Sequence, residues 1–170
     1  GPSDRKSWYW GAVVLLEERS ILRPRLPSVS VLLCTYRPGG LDVAFSGLSQ
    51  QDYKGEWEVV LIDELHGATG RRQAVASALE RWPVPNLRHL PNPRTLYPKC
   101  STGRCHNEAI VQAQGETGIW LADYASAPRD FVSQHVGQHL LHEGISVNGA
   151  FYNVWPPALA PDIPLPPLDP

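Results

Sequence analysis

Two stretches of this chain are mostly apolar and then stop on polar residues. Val29-Ser30-Val31-Leu32-Leu33-Cys34 runs into Thr35-Tyr36, and Glu56-Trp57-Glu58-Val59-Val60-Leu61-Ile62 runs into Asp63-Glu64. A strand with one wet face alternates apolar and polar residues, whereas a short run without alternation marks a strand covered on both faces. Strands of that kind are typical of parallel sheets flanked by helices.

The intervening segments fit the same architecture. Leu41 to Gln51 spaces Leu41, Phe45 and Leu48 as a helix would, and Thr69 to Trp82 does so with Val75, Ala78, Leu79 and Trp82 before Pro83 and Pro85 stop it. Leu87-Arg88-His89-Leu90 reads as a short strand, Pro91 to Thr102 as a turn-rich loop, and Gly103 to Ala113 as a helix ending near Gly115. Gly118 to Asp123 is a further strand ending on an acid. Pro128 to Leu141 is a helix, and Ile145 to Trp155 is a strand or pair of strands. The alternation predicts an α/β fold with a mainly parallel central sheet and helices on both faces. Such sheets bind ligands at the carboxyl ends of their strands. Thr35-Tyr36, Asp63-Glu64 and Asp123 all fall there.

The chain divides into three parts: an aromatic arm or extra strand over 1–28, a core over 29–155 and a proline-rich tail over 156–170. Its 170 residues suffice for one core. The net charge of -2, with basic residues scattered rather than massed, argues against a nucleic-acid partner. Three cysteines cannot all pair within one chain. Cys34 reads as a buried thiol, and Cys100 and Cys105 could pair without anything requiring it. A reduced, cytoplasmic protein is expected. The apolar run Trp8 to Leu16 is too short to cross a bilayer and is broken by Gly11. Its aromatic residues, like the proline-rich tail, suit docking on another chain or on a second copy of this one.

Other constellations have ordinary explanations. His135, His139 and His142 could share a helical face and bind a transition metal, but exposed helix histidines are commoner. Cys100, Cys105 and His106 could form a zinc site. Gly67-Ala68-Thr69-Gly70-Arg71 lacks the lysine of a phosphate-binding loop, and no nucleophile elbow occurs, so hydrolase chemistry has no support.

In order along the chain, these motifs resemble those of family 2 glycosyltransferases. Val29 to Tyr36 resembles their opening strand with its Thr-Tyr end, and Val59 to Glu64 the second strand with its acidic pair. Gly103-Arg104-Cys105-His106-Asn107-Glu108-Ala109 resembles their Arg-x-x-Asn helix start. Gln114-Gly115-Glu116 and Ile119 to Asp123 resemble the Gly-Glu turn and the strand into the acidic metal motif, and Pro128-Arg129-Asp130-Phe131 the helix that follows. The likeness runs from about residue 29 to 155. It implies a Rossmann-like, GT-A nucleotide-binding half, a nucleotide-diphosphate sugar as donor, a divalent cation (Mn or Mg) and inversion at the anomeric carbon. The acceptor is open and could be a saccharide. By the same resemblance Thr35 and Tyr36 line the base or ribose pocket and Asp63 accepts from the base. Arg104 and Asn107 lie toward the nucleotide and diphosphate, and Asp123 lies at the ribose or metal.

Two departures accompany the resemblance. The metal motif usually carries two or three acids, and Leu121-Ala122-Asp123-Tyr124-Ala125-Ser126 carries one. A cation would then be held mostly by phosphates and water. The acceptor-binding half with its general base normally follows the segment matching Ser146 to Gly149, and here the chain after it is short and proline-rich. A glycosyltransferase and a non-catalytic nucleotide-sugar-binding domain or interaction scaffold of the same fold therefore both stand as readings.

Overall fold

A computed structural model describes residues 25–38, 41–93, 102–142, 144–147 and 149. Strands β1 (Val29–Thr35) and β2 (Trp57–Asp63) lie side by side in parallel, in register from Val29 against Trp57 to Thr35 against Asp63. β3 (Leu87–Pro91) pairs on the outer side of β2, and β4 (Thr117–Ala122) on the free side of β1. The described residues thus form a four-stranded parallel sheet of order β3-β2-β1-β4. β1 and β2 are its centre, which is why their sequences show no wet face. The expected α/β class holds.

Among the described residues four helices connect and follow the strands: α1 (Leu41–Leu48), α2 (Arg71–Arg81), α3 (Thr102–Gln112) and α4 (Phe131–Leu141). From β1 to β3 the chain steps one way across the sheet, and from β3 to β4 it steps back. With crossovers of one hand, the reversal puts α3 on the face opposite α1 and α2. The packing agrees. Val31, Leu33, Val59 and Leu61 meet Phe45, Leu48, Val75, Ala78, Val132 and Val136 on one face. Leu32, Val60 and Ile62 meet Cys105 and Ala109 of α3 on the other.

The amino end of the sheet is tied by a polar row. Ser30 Oγ donates to Glu58 Oε1 at 2.7 Å and accepts from the Gly115 N–H at 2.8 Å, while Glu58 also pairs with Arg88 at 2.8 Å. Arg88 in turn donates to the Gln112 carbonyl at the end of α3. Burial works against the Glu58 charge, but hydrogen bonds from Ser30, the Gln114 N–H and Arg88 outweigh it and hold the carboxyl below its ordinary range. This row fixes where the chain turns from α3 into β4. A Cβ on Gly115 would sit 2.5 Å from Ser30 N, so the turn needs a glycine.

Several boundaries differ from expectation. α1 ends at Leu48 because Gln51 works as a side chain rather than a helical residue: its Oε1 accepts from the Val132 N–H at 3.0 Å and its Nε2 donates to the Pro128 carbonyl at 2.7 Å. α2 begins at Arg71, after Gly70 turns left-handed at φ 76°. α4 begins at Phe131 rather than Pro128. The strand expected over Ile145 to Trp155 is corrected for residues 145–147 and 149, which carry no strand. The rest of it, Cys100, the aromatic arm up to residue 24 and the proline-rich tail lie outside the described residues. Among those residues no helix is long and apolar enough to cross a membrane.

Candidate functional site

β1 and β4 lie side by side, and the order of the strands reverses between them: from β1 the chain runs outward through β2 to β3, and β4 then pairs on the other side of β1. This is the switch point at which doubly wound sheets bind ligands. Thr35 and Asp123 meet there. Thr35 Oγ1 donates to Asp123 Oδ2 at 2.6 Å, and both side chains are buried, at 1% and 4% exposure. Thr35 Oγ1 also accepts from the Arg37 N–H at 3.3 Å, so the turn after β1 is referenced to the same bridge.

Beyond the bridge the side chains are open. Tyr36 and Tyr124 are 51% and 43% exposed, and the Arg37 guanidinium lies between them, 5.5 Å from the Tyr36 ring centre and 4.7 Å from that of Tyr124. Guanidinium groups stack on aromatic faces in this manner. A hydrogen bond with Tyr36 foremost, and the charge of Asp123 after the opposing effect of burial, hold Arg37 above its ordinary value. Its charge is therefore permanent.

Asp63, in register with Thr35 one strand over, is committed to its own protein. Its Oδ2 accepts from Arg71 Nε at 2.7 Å and His89 Nε2 at 2.8 Å, and its Oδ1 from the Leu65 N–H at 2.8 Å. A carboxylate only accepts, so Nε2 of His89 carries the proton. Burial opposes the charge, yet His89, Arg71 and the Leu65 N–H together place the Asp63 carboxyl below its usual range. A base seeking this aspartate finds it largely occupied. Arg71 is itself 5% exposed; Nη1 donates to the Pro38 carbonyl at 3.0 Å, while Nη2 is buried without a partner among the described residues. An unsatisfied buried donor costs about 1–3 kcal/mol.

The neighbouring acid points the other way, as alternation along a strand requires. Glu64 Oε1 accepts from Asn92 Nδ2 at 2.6 Å and from the Cys105 thiol at 3.2 Å, on the α3 side of the sheet. A hydrogen bond with Cys34, burial and the Glu64 carboxylate push the Cys105 thiol up, so it stays protonated. Both thiols are free; Cys34, expected to be buried, is only partly so. Arg104 and Asn107 lie on the exposed side of α3, away from its Cys105 and Ala109 face, and the Thr35–Asp123 bridge does not include them. His135 stacks edgewise on Phe131 at 4.8 Å.

Sequence reasoning missed Arg37, Arg71, His89 and Tyr124. Arg71 left one signal: an arginine in the first turn of a helix opposes the helix dipole, so some other interaction has to hold it there.

For a divalent cation the donor set is thin. Mg and Mn sites of this kind draw on several oxygen ligands, whereas Asp123 is one carboxylate, shared with Thr35 and beside a guanidinium. No group of three His, Cys, Asp or Glu side chains suited to a metal occurs among the described residues. The side chains present do not fit a cation held by the protein alone.

No protein-family model matches this sequence, and no curated protein does. Solved structures do match in shape. PcManGT, a mannosyltransferase from Pyrobaculum calidifontis in complex with GDP-Man and Mn2+, aligns with a TM-score of 0.55 and 22% identity over 78% of this chain and 39% of its own. S. aureus TarS 1-349 aligns with a TM-score of 0.54 and 20% identity over 68% of this chain and 33% of its own. The same TarS segment in complex with UDP-GlcNAc gives 0.52 and 20% over 72% of this chain and 37% of its own. The likeness establishes the fold. This chain spans between a third and two-fifths of these neighbours' lengths.

Proposed function

We propose that this chain is the donor-binding part of a glycosyltransferase, moving a sugar from a nucleotide-diphosphate sugar to an acceptor, a saccharide among the candidates, with inversion. The observation that carries this reading is the Thr35–Asp123 bridge at the switch point of the sheet, flanked by two exposed tyrosines and an arginine. A nucleotide needs an aromatic face for its base, acceptors for its ribose hydroxyls and positive charge for its phosphates, and these residues supply all three. Tyr36 offers the face, Asp123 the ribose acceptor and Arg37 the charge. Asp63 serves the pocket by fixing Arg71 and His89. Arg104 and Asn107 would approach a ligand from the α3 side. Mn or Mg would arrive with the donor, with Asp123 as its protein carboxylate. The nucleotide-sugar complexes of the fold neighbours support the same ligand class.

Calorimetric titration of the whole chain with UDP, GDP, UDP-GlcNAc and GDP-Man, with and without Mn, tests this. Binding is expected, weakened at least about tenfold in Asp123→Ala, which is the loss of about 1.4 kcal/mol. Failure of the folded protein to bind any of them removes the proposal. The lone carboxylate at the end of β4 favours a second reading, a nucleotide-sugar-binding domain without catalysis. Release of nucleoside diphosphate from a bound donor in an acceptor screen separates the two.

A further inference from the structure

The end of β1 carries a cation close to the position where the resemblance leads one to seek additional acids. Arg37 is held there on two sides. Its backbone N–H donates to Thr35 Oγ1 at 3.3 Å, the hydroxyl that also bonds Asp123, and its guanidinium lies between the rings of Tyr36 and Tyr124. The guanidinium lies 4.7 Å from the Tyr124 ring centre and is hydrogen-bonded with Tyr36, and with five N–H donors in all it has others to offer a phosphate, which arginine can grip with two parallel hydrogen bonds. A second guanidinium supports the same turn. Arg71 donates to the Pro38 carbonyl and, among the described residues, leaves Nη2 buried without an acceptor. Asp63 neutralises Arg71, which leaves Asp123 and Arg37 as the opposed charges at the turn after β1. Of these two, Asp123 is buried and bonded by Thr35 while Arg37 is partly exposed, so the charge a ligand meets first is positive. A free metal ion would find a single carboxylate that is already bonded.

On the donor-site reading above, we propose that Arg37 binds the diphosphate directly and supplies the positive charge that fixes it, so that a nucleoside diphosphate binds without a divalent cation. Tyr36 and Tyr124 hold the guanidinium in place, and Asp123 keeps it at the switch point. Lysine would be a poor substitute, because it offers a point charge without the planar fork.

The test is titration of the whole chain, in EDTA and then in Mn, with UDP and GDP and with the nucleosides uridine and guanosine. In EDTA one of the diphosphates is expected to bind at least about tenfold tighter than its nucleoside. Arg37→Gln should remove that increment while leaving the nucleoside within about twofold, and Arg37→Lys should restore only part of it. Arg81→Gln, a loss of the same charge at an exposed pair with Asp42, should leave it intact. Circular dichroism and the urea midpoint establish that each variant is folded. Diphosphate binding that requires Mn, or that survives Arg37→Gln in EDTA, overturns this inference and leaves the donor site standing. Absence of binding under every condition overturns both.

Discussion

Asp63 keeps its charge although it is 1% exposed, and that costs the fold nothing only while its partners remain. Removing one partner of a buried ion pair leaves the other charge stranded, typically at about 3–5 kcal/mol. Arg71→Met should therefore lower stability to urea by that order, and Arg71→Met with Asp63→Asn should recover much of it, since the second change removes the stranded charge. The same carboxyl sets an acid limit. Its folded-state pKa lies below the unfolded value, about 3.9 for aspartate, so its contribution is complete above that value and is lost as pH falls through the lower folded one. Glu58 adds loss from just above that range by the same sign. Burial first, and then His139, lower the His135 pKa, so its neutral form is favoured in the fold and a milder loss begins as pH drops below about 6.5. Urea midpoints across a pH series check this, and Asp63→Asn should flatten the most acidic part. Thr35 and Asp123 were legible from sequence because each ends an apolar run, where a polar side chain has little reason to be unless it faces a ligand or a turn. Arg37, Arg71 and His89 were not. Their roles depend on which strand lies beside which, and no local pattern encodes that.

Elements show where local rules suffice. β1 and β2 were readable because central parallel strands are apolar throughout, and α1 and α2 because a helix against a sheet buries one stripe. Ends were less readable. Nothing in Ser49-Gln50-Gln51 announces that Gln51 will bond to the start of α4, because that depends on α4 packing beside α1. The turn between α3 and β4 yields a matched pair of predictions. Gly115→Ala drives a Cβ to 2.5 Å from Ser30 N and 2.6 Å from Val29 C, both backbone atoms in a central strand. It should cost about 1–3 kcal/mol, the range for overpacking. Gly103→Ala, on α3 with nothing within 4 Å of the new Cβ, should instead stabilise by about 0.5–1 kcal/mol through helix propensity. Thermal midpoints measured on both variants decide whether the Ser30–Glu58–Arg88 row requires the close approach.

At the scale of the molecule, the sheet separates its tasks by end: hydrogen bonds among side chains bind the amino end, and the carboxyl end presents the tyrosines and arginine. The order β3-β2-β1-β4 also has a consequence in time. β1 finds β2 within the first 63 residues, but the partners in the Thr35–Asp123 bond are 88 residues apart. Contacts that distant form slowly, because the long loop must close before they give any return. Until β4 docks, β1 presents an open edge on which other chains can pair. In a refolding experiment, nucleotide binding should return no sooner than β4 pairing, followed by pulsed hydrogen exchange of the β4 amides. The step that covers the apolar edge of β1 is then the step that brings Thr35 to Asp123, so a slow-folding variant would be both aggregation-prone and without the proposed site until that one strand is in place.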